Sequence, residues 1–182
     1  MVYESSKTAT LVRVALITAV LCVLGPIALP VPGSPVPISL IHIGIYLGIY
    51  TLGAKLATVS VLVYLLVGSI GLPVFSNYGA GFAKIVGPTG GYLLGFIFMT
   101  WIIGRFVDKE KGIAATAPGY VLGNAVCYLF GSLWLSYQAG LPLAAAFMAG
   151  VIPYLPFDII KAGLALWIGP RVRRATRGRA GR

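Results

Sequence analysis

The sequence predicts an all-α integral membrane protein: one bundle of six transmembrane helices with structured external loops and both termini cytoplasmic. Three observations predict it. The 182 residues are 58% hydrophobic and only 10% charged, against about 25% charged in a soluble domain, and mean hydropathy is +0.93. Apolar runs near the ~20 residues that cross a bilayer recur at about 9–29, 38–54, 56–71, 89–107, 117–137 and 153–170. The charge is one-sided. Six crossings put Lys7, Arg13, Lys55, Arg105, Lys109, Lys111, Arg171, Arg173, Arg174, Arg177, Arg179 and Arg182 on one side, twelve of the fourteen cations. The positive-inside rule makes that side the cytoplasm. Residues 1–182 then read as a single domain in the cell membrane, with the lipid bilayer as its solvent.

The first run follows Lys7 and contains Arg13. With Val14–Leu24 it also fits a cleaved signal peptide. Cleavage would leave five spans and set the basic tail opposite the new N-terminus, so a retained helix is expected. Ala15 and Ala19 form a smooth stripe with Leu11, Thr18 and Cys22. It either packs inside the bundle or docks a helix from outside. The same four-residue spacing at Gly44/Gly48, Gly91/Gly95 and Gly119/Gly123 reads as close packing within the bundle.

Between the first two runs, Gly25–Ser39 holds five prolines and no charge. Proline blocks helix continuation, so a semi-rigid extended strap is expected outside. His42 opens the second run and either faces a cavity or packs at the interface. The second and third runs are short and meet at Gly53-Ala54-Lys55. Residues 71–92, GLPVFSNYGAGFAKIVGPTGGY, are long, rich in Gly and Pro, fairly apolar, and carry one cation, Lys84. Such a loop caps a cavity more readily than it links two helices. Asn77 and Tyr78 at its centre either bond a ligand or shape a turn, and Phe75 and Tyr92 offer apolar cover. Asp108 and Glu110 in the DKEK turn read as solvated charges. The third external connection, 138–152, is uncharged.

The last run carries the sharpest chemistry. In IPYLPFDIIKAGLALWIG, Asp158 and Lys161 share a helix face with Tyr154 and Ala165, while Phe157, Ile160, Leu164, Trp167 and Ile168 cover the other side. Ionisable groups at the centre of a span cost about 2.5–3.5 kcal/mol each on insertion scales. That face must therefore look into protein or a wet cavity. It is either a self-neutralising i,i+3 pair or a ligand site in which Lys161 donates and Asp158 accepts.

No phosphate-binding loop, HExxH, Cys/His metal spacing or nucleophile–base set is present, so no catalytic or metal residue is assigned. Cys22 and Cys127 read as packing residues. Any pumping needs an ATP-driven partner. The Arg-rich tail follows a membrane helix without interleaved aromatics, and is read as meeting lipid headgroups rather than nucleic acid.

The proline strap with VPISL, LLVGSIGLPVF, GPTGGYLLGF and YLPFDIIKAGLA resemble the BioY family, biotin-capturing substrate subunits of energy-coupling factor (ECF) transporters. The resemblance covers nearly the whole chain. It implies a six-helix bundle with a biotin pocket near the external face and no enzymatic activity. It also implies a separate transmembrane coupling subunit and two ABC-type ATPase subunits. No cofactor is implied; biotin is the transported ligand. By position, Asp158 and Lys161 match the family's D-x-x-K, and the segment after GLPVF points to Asn77, Tyr78 and Lys84 as pocket residues. Ala15 and Ala19 match its first-helix Ala-x-x-x-Ala, which favours docking on the coupling subunit. Asp158 suits the ureido N–H groups of biotin, Lys161 its carbonyl or carboxylate, and Lys84 a carboxylate beside solvent. Phe75, Tyr92 and Tyr154 would wall the remainder.

Overall fold

The computed structural model describes residues 7–32, 34–109 and 112–178. Lys111, Glu110, Arg179 and Arg182, which entered the charge argument or the DKEK turn, lie outside the described residues. Helix α1 (Lys7–Leu24) buries Val14, Ile17, Thr18 and Leu21. That is the i, i+3, i+4, i+7 stripe of a helix with one packed face. Ala15 and Ala19 stay exposed. Thr18, expected in the same smooth stripe, instead turns inward and donates to the Ser60 carbonyl at 3.3 Å.

Helix α2 (Ile41–Ser69) is not straight. Gly53 has φ 79° and ψ 177°, a backbone that only glycine adopts without strain. A Cβ built on Gly48 would lie 3.9 Å from that of Ala57, although nine residues of straight helix span about 13 Å. The chain therefore folds back at Gly53 into two limbs, within the GAK segment expected to join two spans. Both limbs reach the same end of α1. A Cβ on Gly44 would meet Leu21 and one on Gly25 would meet the Tyr64 hydroxyl. Among the described residues four helices are long and apolar enough to cross a membrane, or five with a bent pair taken as one span, and α2 counts once in that tally.

Asp108 at the end of α4 (Gly90–Asp108) is not simply solvated. Its Oδ2 accepts the Ala54 N–H at 2.9 Å and caps the second limb of α2. Its Oδ1 pairs with Arg173 Nη2 at 3.1 Å. The reason is tertiary: the fold-back leaves orphan N–H groups at a helix start, and α4 ends beside them.

The prolyl strap folds as a small hairpin, not as an extended ribbon. β1 (Ala28–Leu29) pairs antiparallel with β2 (Ile38–Ser39), Ala28 opposite Ser39. Prolines cannot donate to a ladder, so most of them gather in the turn. Loop 71–92 carries a 3-10 turn (Ser76–Tyr78), a bridge between Phe75 and Gly79, and a short helix α3 (Phe82–Val86). It is tied down at both ends. Tyr64 donates to the Val74 carbonyl at 3.0 Å, Gly81 N–H to Gly68 at 2.8 Å, and Trp134 Nε1 to Gly87 at 2.9 Å.

Helices α4 and α5 (Ile113–Ala139) press together through glycines. A Cβ on Gly95 would come 3.0 Å from Cys127, and one on Gly123 2.7 Å from Ile103. The paired glycines thus serve packing within the bundle. The 138–152 connection is more than a link, because it holds helix α6 (Leu143–Gly150). α7 (Leu155–Gly178) follows at a bend of 52°. It runs on past Pro170 into the basic segment, where Arg173 is anchored on Asp108.

Candidate functional site

The first turns of α7 hold Asp158 and Lys161 inside the molecule. Each is only 7% exposed, while Phe157, Ile160, Leu164, Trp167 and Ile168 on the far side are exposed. Lys161 Nζ donates to Asp158 Oδ1 at 3.0 Å and to the Ser39 carbonyl at 2.9 Å. Asp158 Oδ2 accepts the Tyr128 hydroxyl of α5 at 2.5 Å. An ammonium and a carboxylate out of water need this many partners, since desolvation otherwise exceeds their attraction.

These groups wall a chamber of about 50 Å³ between β2, the first limb of α2, loop 71–92, α4, α5 and the α6–α7 elbow. His42, the second residue of α2, lines it edge-on to Phe96 at 5.1 Å between ring centres. Its Nδ1 is buried with no hydrogen-bond partner among the described residues, and an orphan of this kind costs about 1–3 kcal/mol. Phe75 is fully buried at the chamber's edge. Lys84 of α3 reaches the wall with its stem against Gly79. Tyr92 donates to the Gly150 carbonyl at 3.0 Å, fixing the end of α6. The Tyr154 hydroxyl bonds Ser34 Oγ and the Val36 carbonyl, holding the β1–β2 turn over α7.

Seven of the residues expected at a ligand therefore converge: Asp158, Lys161, His42, Phe75, Lys84, Tyr92 and Tyr154. Asn77 and Tyr78 do not. Both are exposed, and both have φ of 57°, so in this structure they shape a left-handed turn, and neighbouring Ser76 lines the chamber instead. Sequence reasoning missed Tyr128 and Ser39. A signal for Tyr128 existed: Asn124 and Tyr128 are an i,i+4 polar pair in an apolar run, and Asn124 accepts from Tyr46 at 3.2 Å on that face. Among the described residues no cluster of His, Cys, Asp or Glu is placed to hold a metal.

Fold and site together define an integral membrane protein that encloses, between its helices and loop 71–92, a mostly apolar chamber into which a few polar and charged groups project. Residues 2–178 match the model of the BioY family, and the chain belongs to that family. It is 35% identical over 164 residues to the biotin transporter BioY of Thermotoga maritima, covering 90% of this chain and 95% of the relative. To that of Lactococcus lactis it is 34% identical, covering 94% of each. A crystal structure of the S-component for biotin from an ECF-type ABC transporter superimposes with a TM-score of 0.85 at 31% identity. The match covers 96% of this chain and 95% of that one.

Proposed function

We propose that this chain is the biotin-capturing membrane subunit of an ECF-type importer, binding and translocating its ligand without chemical conversion. The observation that carries the reading is the Asp158–Lys161 pair, 7% exposed and walled into a chamber beside the unpartnered Nδ1 of His42. Asp158 accepts the ureido N–H groups, Lys161 donates to the ureido carbonyl or the carboxylate, and Lys84 meets the carboxylate near water. Phe75, Tyr92 and Tyr154 cover the apolar ring body. Tyr128 holds Asp158 in place.

Residues 1–182 act as one membrane domain. The two limbs of α2 cross separately, which with α1, α4, α5 and α7 makes six crossings and puts both termini in the cytoplasm. A vitamin needs more space than the present chamber of about 50 Å³, given the 300–1,000 Å³ typical of small-molecule pockets. The loops at 30–37 and 72–88 therefore part to admit biotin and close over it. A transmembrane coupling subunit grips the exposed Ala15/Ala19 face, and two ABC-type ATPases drive release inward.

Titration of the purified chain with biotin, followed by intrinsic Trp and Tyr fluorescence and competed with other vitamins, tests this. Saturable binding displaced by biotin alone is expected. A different vitamin winning the competition would move the chain to another substrate, and no response at all would reject capture.

A further inference from the structure

His42 carries a buried ring nitrogen that the fold leaves unserved. Its Nδ1 has no hydrogen-bond partner among the described residues, although the ring lines the chamber and packs edge-on against Phe96. Native folds pair nearly all buried polar atoms, so an unpaired one calls for a cause. Helix capping is not the cause, because the Ile41 N–H donates to Ser39 Oγ at 3.2 Å. Packing is not the cause either. An apolar side chain would fill the same place beside Phe96 without burying a polar atom.

The neighbouring groups divide into spent and unspent. Tyr92 gives its hydroxyl proton to Gly150 and Tyr128 gives its own to Asp158, while Tyr154 is taken up by Ser34 and Val36. Lys161 has three donors and uses two, on Asp158 Oδ1 and the Ser39 carbonyl. Asp158 accepts one bond on each oxygen and keeps further lone pairs. His42 Nδ1 is an acceptor in the tautomer that carries its proton on Nε2. The ammonium stands between the other two: it bonds Asp158 on α7 and, in β2, the Ser39 carbonyl three residues before His42. The unspent capacity therefore reads acceptor, donor, acceptor. A cyclic urea presents the complement on one rigid ring: N–H, carbonyl, N–H.

We infer that His42 Nδ1 accepts one of the two ureido N–H groups, leaving the other to Asp158 and the carbonyl between them to Lys161. The inference rests on the capture of biotin proposed above and deepens it. The ligand enters urea end first, and its acid tail is left to Lys84. A ring that lacks the second N–H leaves Nδ1 unpaired in the complex as well, so His42 selects against it.

The test titrates the purified full chain with biotin and with its two ureido N-methyl derivatives, each of which deletes one N–H. Wild type should bind both derivatives at least about tenfold more weakly than biotin, since each leaves a buried acceptor unmet. His42→Leu should lose about tenfold in biotin affinity. It should also bind one derivative, the one methylated on the nitrogen that faced His42, within about threefold of biotin. His42→Asn, whose side-chain oxygen replaces Nδ1, should restore most of the affinity and the discrimination. Unliganded His42→Leu should melt no lower than wild type, because it buries no orphan. His42→Phe replaces it if that variant does not fold. A derivative that wild type binds as tightly as biotin overturns the inference, and so does undiminished biotin affinity in His42→Leu. A lower melting temperature with affinity intact does so too, by making His42 a packing residue. A wild-type chain that ignores biotin ends the capture reading and this inference together; a wild-type chain that binds it, with His42 variants binding equally well, ends the inference alone.

Discussion

Among the described residues two aspartate–cation pairs form, one at each end of α7, and they are built in opposite ways. Asp158 and Lys161 lie three residues apart on one helix, 7% exposed, and their surplus hydrogen-bonding capacity goes to Tyr128 and Ser39. Asp108 and Arg173 come from different helices, with the aspartate side chain 38% exposed, and their surplus goes to capping the fold-back at Ala54. The first pair lines a chamber that still contains an unsatisfied histidine nitrogen. The second faces helix ends. What separates them is the company each pair keeps: one lines the chamber proposed to take the ligand, the other joins α2, α4 and α7.

The sharpest break of this comparison is Lys161→Ala. Removing one partner of a buried pair costs about 2–5 kcal/mol, so biotin affinity should fall at least about thirtyfold in calorimetry or fluorescence titration while the chain still inserts. Unchanged affinity would remove Lys161 from the site. Ala15→Trp with Ala19→Trp should reverse the pattern: binding intact, but co-purification with the coupling subunit and uptake both lost. Survival of the complex would end the docking assignment.

Tyr128→Phe keeps the ring and deletes one bond to a charged group, worth about 1.5–3 kcal/mol. Affinity should drop about tenfold or more, with little change in melting temperature; a loss confined to stability would make the tyrosine a packing residue. Asp108→Ala should do the opposite. Losing a helix cap of about 1 kcal/mol and a partly exposed ion pair of at most about 1 kcal/mol should lower the melting temperature, with biotin affinity within about twofold. An affinity loss as large as that of Lys161→Ala would erase the distinction between the pairs. The smallest effect is expected at Asn77→Gly, which suits φ of 57°. Affinity should stay within about threefold, and a larger loss would show that the turn swings inward when ligand binds.

The two pairs also mark what a linear reading can see. Asp158 and Lys161 were legible because their spacing and the exposed apolar residues around them follow from helix geometry alone. So was the fold-back, since Gly53 interrupts two apolar runs too short to be ordinary spans. Asp108 was read as solvated and is indeed exposed, but its bonds to Ala54 and Arg173 were not foreseen, because nothing near it in sequence reveals that α4 ends beside Ala54. Tyr128 escaped notice for the same reason: its partner is thirty residues away. The proline-rich strap was seen, but its pairing into a hairpin was not, and helix α6 was taken for a connection.

By itself the sequence determined the solvent of this protein and the polar stripe on its last helix, because burial in lipid and i,i+3 spacing are properties of consecutive residues. Only the tertiary structure decided which carbonyl holds Lys161, which hydroxyl holds Asp158, and that Asn77 faces outward. Those outcomes depend on how distant segments approach one another, and a hydrogen bond across 122 residues leaves no periodic trace in the chain that forms it.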